Sequence, residues 1–299
     1  MEIINVLKVF IPATIAFFIG IAITPFITHY LYAYKFWKKR ARNEALGGGE
    51  TPLFYALHKE KEVSTPRMGG VVIWLSVILT IFLFWLLPHI FPGEASQKFN
   101  FLSRNQTWLP LFTLIAASLV GLFDDFLVVF GRGGYIASGL PLSLRIGTVL
   151  LIGAAGAWWF FFKLGVSAIG VPFFGELSLG IFFIPFFMLV MLALFSGGII
   201  DGIDGLAGGI LASAFAAYAG IAFFQNQIDL AAFSSVIGGG LLAFLWFNIP
   251  PARFFMSETG ILGLTTTLAV IAFLTDAVFV LPLIAFFLFA APASVIIQL

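Results

Sequence analysis

Residues 6–27 read VLKVFIPATIAFFIGIAITPFI, a run of 22 residues that contains one charged side chain, Lys8. An α-helix rises about 1.5 Å per residue, so this run is long enough to cross the roughly 30 Å hydrocarbon core of a bilayer. It is too long for the apolar core of a signal peptide, and no small-residue cleavage site follows it. We therefore predict that it is a retained first membrane span.

The rest of the chain has the same character. Of its 299 residues, 61% are hydrophobic and 10% are charged, whereas a soluble domain carries about 25% charged residues. We predict an all-α fold, a polytopic integral membrane helical bundle that forms a single domain over residues 1–299. The absence of cysteine excludes disulfides and thiolate chemistry. About nine spans are predicted, near residues 6–29, 70–91, 108–123, 142–163, 178–200, 206–224, 230–247, 259–275 and 277–299.

The orientation of the spans follows from the distribution of lysine and arginine. The 34–67 loop holds eight of these residues, whereas the next loop holds only Lys98 and Arg104. Because basic loops stay in the cytoplasm, we predict that the 34–67 loop is cytoplasmic and that the N-terminus faces out. Alternating the spans then places the 124–141, 201–205 and 248–258 segments on the cytoplasmic face as well.

Five acidic residues fall at predicted span ends or in short loops on that face. An acid in a membrane helix costs about 2.5–3.5 kcal/mol on insertion scales, and few basic residues lie nearby in sequence. A divalent cation held by carboxylate oxygens would offset this cost, and Mg²⁺ is the usual ion where phosphates share the site. The five acids are Asp124, Asp125, Asp201, Asp204 and Glu258.

The acids and the glycines near them also have alternative interpretations as structural residues. Asp201 could cap a helix that begins near Ile203, whereas Asp204, one turn later on the same helix face, does not suit that role. The glycines that flank the pair allow a backbone to approach a ligand, but they serve helix packing about as often. The run STPRMGG, residues 64–70, enters the second span, and free amides after Pro66 would form a phosphate site.

Four motifs in this order resemble the polyprenyl-phosphate N-acetylhexosamine-1-phosphate transferases, that is, glycosyltransferase family 4. They are STPRMGG at residues 64–70, GLFDDF at 121–126, DGIDGLA at 201–207, and Asn248 followed by PA at 251–252 and FMSETG at 255–260. The resemblance covers essentially the whole chain. It is closest to the members that handle phospho-MurNAc-pentapeptide in peptidoglycan synthesis.

The resemblance implies a reaction, its partners and the roles of individual residues. A UDP-linked amino sugar would give its sugar phosphate to undecaprenyl phosphate at the cytoplasmic face of the bacterial cytoplasmic membrane, with release of UMP and with Mg²⁺ as cofactor. A homodimer is a possible assembly, and no nucleic acid partner is expected. Asp124, Asp125 and Asp204 are the expected catalytic residues, Asp204 and Glu258 the metal ligands, and Lys59, Lys61, Thr65, Arg67, Asp201 and Asn248 the substrate-binding residues.

The chain departs from the family pattern at several positions. Gly198 replaces a usual asparagine, Val128 a usual lysine, and Glu258 a usual aspartate. The resemblance also implies that the last cytoplasmic loop, with its histidines, and a tenth helix are lacking after Leu299. Two other functions are consistent with the sequence. The first is the same reaction with UDP-GlcNAc or another amino-sugar donor, for a different surface glycan. The second is an acid-lined cation channel or transporter. A transporter would more often place its acids near the bilayer midplane.

Overall fold

A computed structural model describes residues 3–39, 63–103, 106–131 and 139–298. Most of these residues lie in long apolar helices. In chain order they are α1 (Ile3–Ala33), α2 (Gly70–Ile90), α3 (Glu94–Phe99), α4 (Trp108–Phe130), α5 (Leu142–Trp158), α6 (Phe183–Ser196), α7 (Leu206–Phe224), α8 (Ile228–Asn248), α9 (Ser257–Leu274), α10 (Leu281–Ile284) and α11 (Phe286–Gln298).

Short segments connect or extend these helices. Helix α5 continues as a π-helical turn at Trp159–Lys163, and 3₁₀ turns occupy Gly180–Phe182, Gly197–Ile200 and Val278–Val280. Strands β1 (Ala168–Val171) and β2 (Gly175–Ser178) form an antiparallel hairpin that pairs Ala168 with Ser178. The sequence did not predict this hairpin.

Among the described residues, eight helices are long and apolar enough to cross a membrane, or nine if the bent pair near the C-terminus counts as one span. The chain is therefore an all-α, multi-pass membrane bundle, as predicted. The segment predicted as the ninth span, 277–299, is bent, because the helical segments Val278–Ile284 and Phe286–Gln298 meet at an angle of 75°.

Helix α9 forms the centre of the bundle. Of its 18 residues, 89% are buried, whereas 22% are buried in the most hydrophobic stretch of α1. Helix α9 packs against α4, α6 and α2, and α8 packs against α1 and α7. Glycine permits a close approach of α4 to α9, since a Cβ atom on Gly121 of α4 would overlap the Glu258 carbonyl oxygen of α9. Small residues that let helix backbones approach closely are typical of membrane bundles.

A boundary error in the sequence analysis matters for the site. The predicted third span ended at residue 123, but α4 continues to Phe130. Asp124 and Asp125 therefore lie inside the helix and are buried, instead of standing in a loop beyond it. The same helix end packs against the first turn of α9, which contains Glu258.

Candidate functional site

Asp125 joins three segments at one end of the bundle. Its side chain is 0% exposed. Arg67 donates to Asp125 Oδ1 from Nε at 3.0 Å and lies 3.0 Å away through Nη2. Thr259 donates to Asp125 Oδ2 from its backbone N–H at 2.9 Å and from Oγ1 at 2.6 Å. Both carboxylate oxygens are thus engaged, and Asp125 holds α4, the segment before α2 and the start of α9 together.

Asp124 and Glu258 share one cation. Arg145, in the first turn of α5, lies 2.8 Å from Asp124 Oδ2 through Nη2 and donates from Nη1 to Glu258 Oε1 at 2.6 Å. The Leu140 N–H also donates to Asp124 Oδ1 at 2.5 Å. Charge-assisted contacts of this kind are the strong ones, and they offset the loss of water around both carboxylates.

The turn between Ile200 and Leu206 holds two further acids. Asp201 Oδ2 accepts a hydrogen bond from the Ser257 N–H at 2.7 Å, and Asp204 Oδ2 accepts one from the Ala252 N–H at 3.2 Å. Burial raises the pKa of Asp201 to about 7, although the Ser257 amide and Arg67 favour its charged form. The carboxyl group is therefore poised to change its charge near neutral pH.

Asn248 fixes that turn to the loop that follows α8. Its Oδ1 accepts a hydrogen bond from the Gly205 N–H at 2.9 Å, and its Nδ2 donates to the Phe254 carbonyl oxygen at 2.8 Å. Gly205 adopts a φ of +79°, a left-handed conformation in which a side chain would be strained. Together, Asn248 and Gly205 fix the path of the chain that carries Asp201 and Asp204.

The predicted amide phosphate site before α2 is not formed. The N–H groups of residues 67–70 are already used, since Arg67 donates to the Phe36 carbonyl, Gly69 to Phe255 and Gly70 to Met256, while Met68 donates to Ser257 Oγ. Helix α2 starts only at Gly70, so Pro66 does not lie in its first turn. The segment is instead bound to the 255–257 backbone.

The structure distinguishes between the structural and functional roles that the sequence left open for Asp201 and for the glycines near it. Asp201 is not the N-cap of the following helix, because α7 begins at Leu206 with Gly205 at its N-cap. Gly198 and Gly208 serve packing, since an added Cβ atom would lie 2.4 Å from Ile261 and 2.8 Å from Leu245. Gly202 has open space around it.

A cavity of about 830 Å³ opens beside these groups. One part of its wall carries charge and another part is apolar. The charged side chains are Lys38, Arg67, Arg145, Asp201, Asp204 and Glu258, and the apolar ones include Leu142, Ile146, Phe195, Ile199, Val295 and Ile296. A ligand with a phosphate group and a hydrocarbon chain would match both parts of the wall.

The structure separates the predicted site residues into two groups. Arg67, Asp201, Asp204 and Glu258 line the cavity, whereas Asp124, Asp125, Asn248 and Thr65 lie outside its lining. All four of the latter are buried. The predicted substrate-binding residues Lys59 and Lys61 lie outside the described residues.

Two cations of the cavity were missed by the sequence analysis, Arg145 and Lys38. Arg145 had a detectable signal, because it is a lone charge in the first turn of an apolar span, and such charges usually serve a site. Few basic residues lie near the acids in sequence, but this does not leave the acids without basic partners in the structure. Arg67 and Arg145 are distant in sequence but compensate Asp124, Asp125 and Glu258 in space.

The sequence of this chain is similar to those of known proteins. The profile of glycosyl transferase family 4 matches residues 107–276, a range that contains Asp124, Arg145, Asp204 and Glu258. A protein of Latilactobacillus sakei named phospho-N-acetylmuramoyl-pentapeptide-transferase is 35% identical over 80% of this chain and 70% of its own length. A protein of the same name from Anoxybacillus flavithermus is 32% identical over 96% of this chain and 81% of its own length.

Proposed function

Because the chain belongs to glycosyltransferase family 4, we propose that it is a phosphotransferase that moves phospho-MurNAc-pentapeptide from a UDP donor to undecaprenyl phosphate. A phosphate oxygen of the lipid forms a bond to the sugar-linked phosphorus of the donor. The bond from that phosphorus to the bridging oxygen breaks, and UMP leaves. The product is lipid I, the lipid-linked intermediate of peptidoglycan synthesis. The names of the relatives support this choice of donor.

The observation that carries the proposal is the two-sided wall of the cavity. Its charged side chains suit the phosphates of a water-soluble nucleotide sugar and of a lipid headgroup. Its apolar side chains, among them Ile199, Val295 and Ile296, suit the first carbons of the lipid chain. An enzyme that joins a soluble substrate to a membrane lipid requires both kinds of surface in one place.

The residues of the cavity fit a magnesium ion. Among the described residues, no group of three histidine, aspartate or glutamate side chains is arranged to hold a metal. Mg²⁺ is usually bound by one or two carboxylates, with water and substrate phosphates as its other ligands. Asp204 and Glu258, with Asp201 beside them, would hold it. When bound, the ion neutralises charge on the diphosphate and stabilises the leaving phosphate.

The remaining residues would bind and position the two phosphates. Arg67 and Arg145 supply guanidinium groups at the cavity, where planar N–H donors suit phosphate oxygens. We also propose that Lys59 and Lys61 reach the phosphates. A strong general base is not required, because a phosphate monoester has its second pKa near 6 and is mostly dianionic at neutral pH. Orienting two anions against each other is the harder task.

Asp124, Asp125, Asn248 and Thr65 would then act through their neighbours. Asp125 holds Arg67 in place, Asp124 holds Arg145, and Asn248 fixes the turn that carries Asp204. For the two aspartates this differs from the catalytic role that the resemblance implied. The buried position of both side chains outside the cavity lining favours a positioning role.

We place the reaction at the cytoplasmic face of the bacterial cytoplasmic membrane, where UDP-linked sugars are made. The eight lysines and arginines of the 34–67 loop support this orientation. The cavity lies on the same side, because Arg67 and Lys38 at the two ends of that loop line it.

Release of labelled UMP by the purified protein tests the proposal. Undecaprenyl phosphate, Mg²⁺ and either UDP-MurNAc-pentapeptide or UDP-GlcNAc would be supplied in separate reactions. We expect release from the first donor only. Release from UDP-GlcNAc alone would show the same chemistry with a different sugar. No release from either donor, with cation flux in reconstituted vesicles, would contradict an enzymatic function and favour a transporter.

A further inference from the structure

Arg145 stands between two carboxylates that differ in how firmly they are held. Its Nη2 lies 2.8 Å from Asp124 Oδ2 and its Nη1 donates to Glu258 Oε1 at 2.6 Å. Gly139 packs directly against the Arg145–Asp124 pair, because a Cβ atom added to it would lie 2.7 Å from Arg145 Nη2 and 2.9 Å from Asp124 Oδ1. The Arg145–Asp124 contact is therefore enclosed.

Glu258 is bound less completely than Asp124. Asp124 also accepts the Leu140 N–H, and its side chain is 3% exposed. The Glu258 side chain is 23% exposed and lines the cavity, and Oε2 accepts no hydrogen bond from the described residues. Glu258 can therefore exchange its partner for a ligand in the cavity, whereas Asp124 cannot do so without a rearrangement of the 139–140 backbone.

The chemistry of arginine makes this contact more than a structural bridge. A guanidinium group remains charged at every working pH, so the contact with Glu258 cannot end by loss of a proton. For a cation to take its place on the charged carboxylate, the Arg145 side chain has to move. A divalent cation bound to Glu258 would lie a few ångströms from Arg145, and the two positive charges would repel each other.

We propose that Arg145 is a positioning residue that acts as an internal counter-cation for Glu258. In the ligand-free protein it occupies this carboxylate and competes with a divalent cation for it. When the cation arrives, Arg145 releases Glu258 and remains on Asp124, with Nη1 turned toward the cavity. The inference rests on the proposed function in taking Glu258 as a cation ligand.

Titration of the purified full chain with Mn²⁺ alone, followed by electron paramagnetic resonance, tests the proposal without substrates or turnover. We expect Arg145→Gln to bind Mn²⁺ with a Kd at least about tenfold lower than that of the wild type. This is the effect of removing one unit charge about 6 Å from a divalent ion in a water-like dielectric. Arg145→Gln combined with Glu258→Gln should lose this gain.

Two further variants make the comparison decisive. Arg253 lies on the neighbouring loop, is exposed and packs over the Phe247 ring, so Arg253→Gln is a matched loss of charge and should leave the Kd unchanged. Arg145→Lys keeps the charge but replaces the planar fork of N–H donors with one compact ammonium group, so it should hold Glu258 less firmly and lower the Kd about two- to threefold. It serves as the test if Arg145→Gln does not fold.

An unchanged or higher Kd in Arg145→Gln, or in Arg145→Lys if only that variant folds, would overturn the proposal. A merely structural Arg145 predicts that result, together with a lower thermal stability. The outcome is separate from the test of the proposed function. UMP release by the wild type with no gain in Mn²⁺ affinity removes only the counter-cation role. A gain in affinity without UMP release removes only the proposed reaction.

Discussion

Asp201 and Asp276 have the same local hydrogen bond but lie at opposite ends of the bundle. Asp201 Oδ2 accepts the Ser257 N–H at 2.7 Å, and Asp276 Oδ1 accepts the Gly170 N–H of the β1–β2 hairpin, also at 2.7 Å. The first lies beside the start of α9 and the second just beyond its end. The 18 residues of α9 rise about 27 Å, close to the thickness of the hydrocarbon core.

The surroundings of the two carboxylates differ. Asp276 is exposed, and its neighbours are neutral groups such as Gln225 and Gln227, which donate to the Thr275 and Leu274 carbonyl oxygens. Asp201 lies near Arg67, Glu258 and Asp125 at the wall of the cavity. A backbone hydrogen bond therefore does not distinguish a functional acid from a structural one. The distinction lies in the charged groups that distant segments bring to it.

The largest expected effect concerns Asp204, with Asp276 as its control. Asp204→Asn is nearly isosteric but removes the charge that a divalent cation requires, so UMP release should fall about 10³-fold or more. Asp276→Asn should stay within about twofold of the wild type, since Asp276 lies at the end of the bundle that is distant from the cavity. Turnover by Asp204→Asn within tenfold of the wild type at saturating Mg²⁺ would show that the two ends do not differ in this way.

The length of the side chain at position 258 gives the next effect. Glu258→Gln should reduce UMP release about 10²-fold, because the amide is a weaker ligand for a hard cation. Glu258→Asp should retain activity within about tenfold of the wild type, since it keeps the charge and restores the residue that the family pattern has. Steady-state rates over a range of Mg²⁺ concentrations measure both. Equal rates for the glutamine variant and the wild type would remove Glu258 from the site.

Stability should also distinguish the two ends. Asp125→Asn leaves Arg67 without its buried partner and should lower the free energy of unfolding by about 3–5 kcal/mol. At the other end, Lys8 lies 2.5 Å from Asp229 with both side chains partly exposed, and Asp229→Asn should cost about 1 kcal/mol or less. Thermal unfolding in detergent compares them. Loss of activity in Asp125→Asn with no change in stability would instead support a direct catalytic role.

The smallest effect is a pH dependence that comes from Asp201. Burial raises its pKa to about 7, so the group is protonated and neutral below pH 7 and charged above it. The apparent KM for Mg²⁺ should therefore rise as the pH falls below 7, approaching about tenfold per pH unit. Asp201→Asn should remove this dependence. An apparent KM for Mg²⁺ in the wild type that is constant between pH 6 and 8 would contradict a role for the Asp201 charge.

The sequence predicted the membrane bundle because the length and apolarity of the spans are local properties. It also predicted that segments 64–70, 121–126, 201–207 and 255–260 meet at one end, since the alternation of spans places them on one face. The observed contacts agree, because Arg67 meets Asp125 and Asp201 meets Ser257.

What the sequence could not predict depends on contacts between distant residues. The pairing of Arg145 with Asp124 and Glu258 joins α5 to α4 and α9, and no local pattern specifies it. The burial of Asp125 followed from the length of α4, which hydropathy underestimated because the two aspartates lowered it near residue 124. The 75° bend after residue 284 lies in an apolar segment where hydropathy gives no sign of a break.

Side-specific labelling tests the central claim. The end of the bundle that contains the cavity faces the cytoplasm, and the end that contains the β1–β2 hairpin faces the opposite side of the membrane. The chain has no cysteine, so single cysteines can be added without removing others. Ile203 is 65% exposed beside Asp204, and Phe174 is 88% exposed in the hairpin. A membrane-impermeant maleimide should label Phe174→Cys in intact cells and Ile203→Cys only after the cytoplasmic side is opened. Labelling of Ile203→Cys in intact cells would contradict the account, because a UDP-linked sugar could not reach the cavity from the cytoplasm.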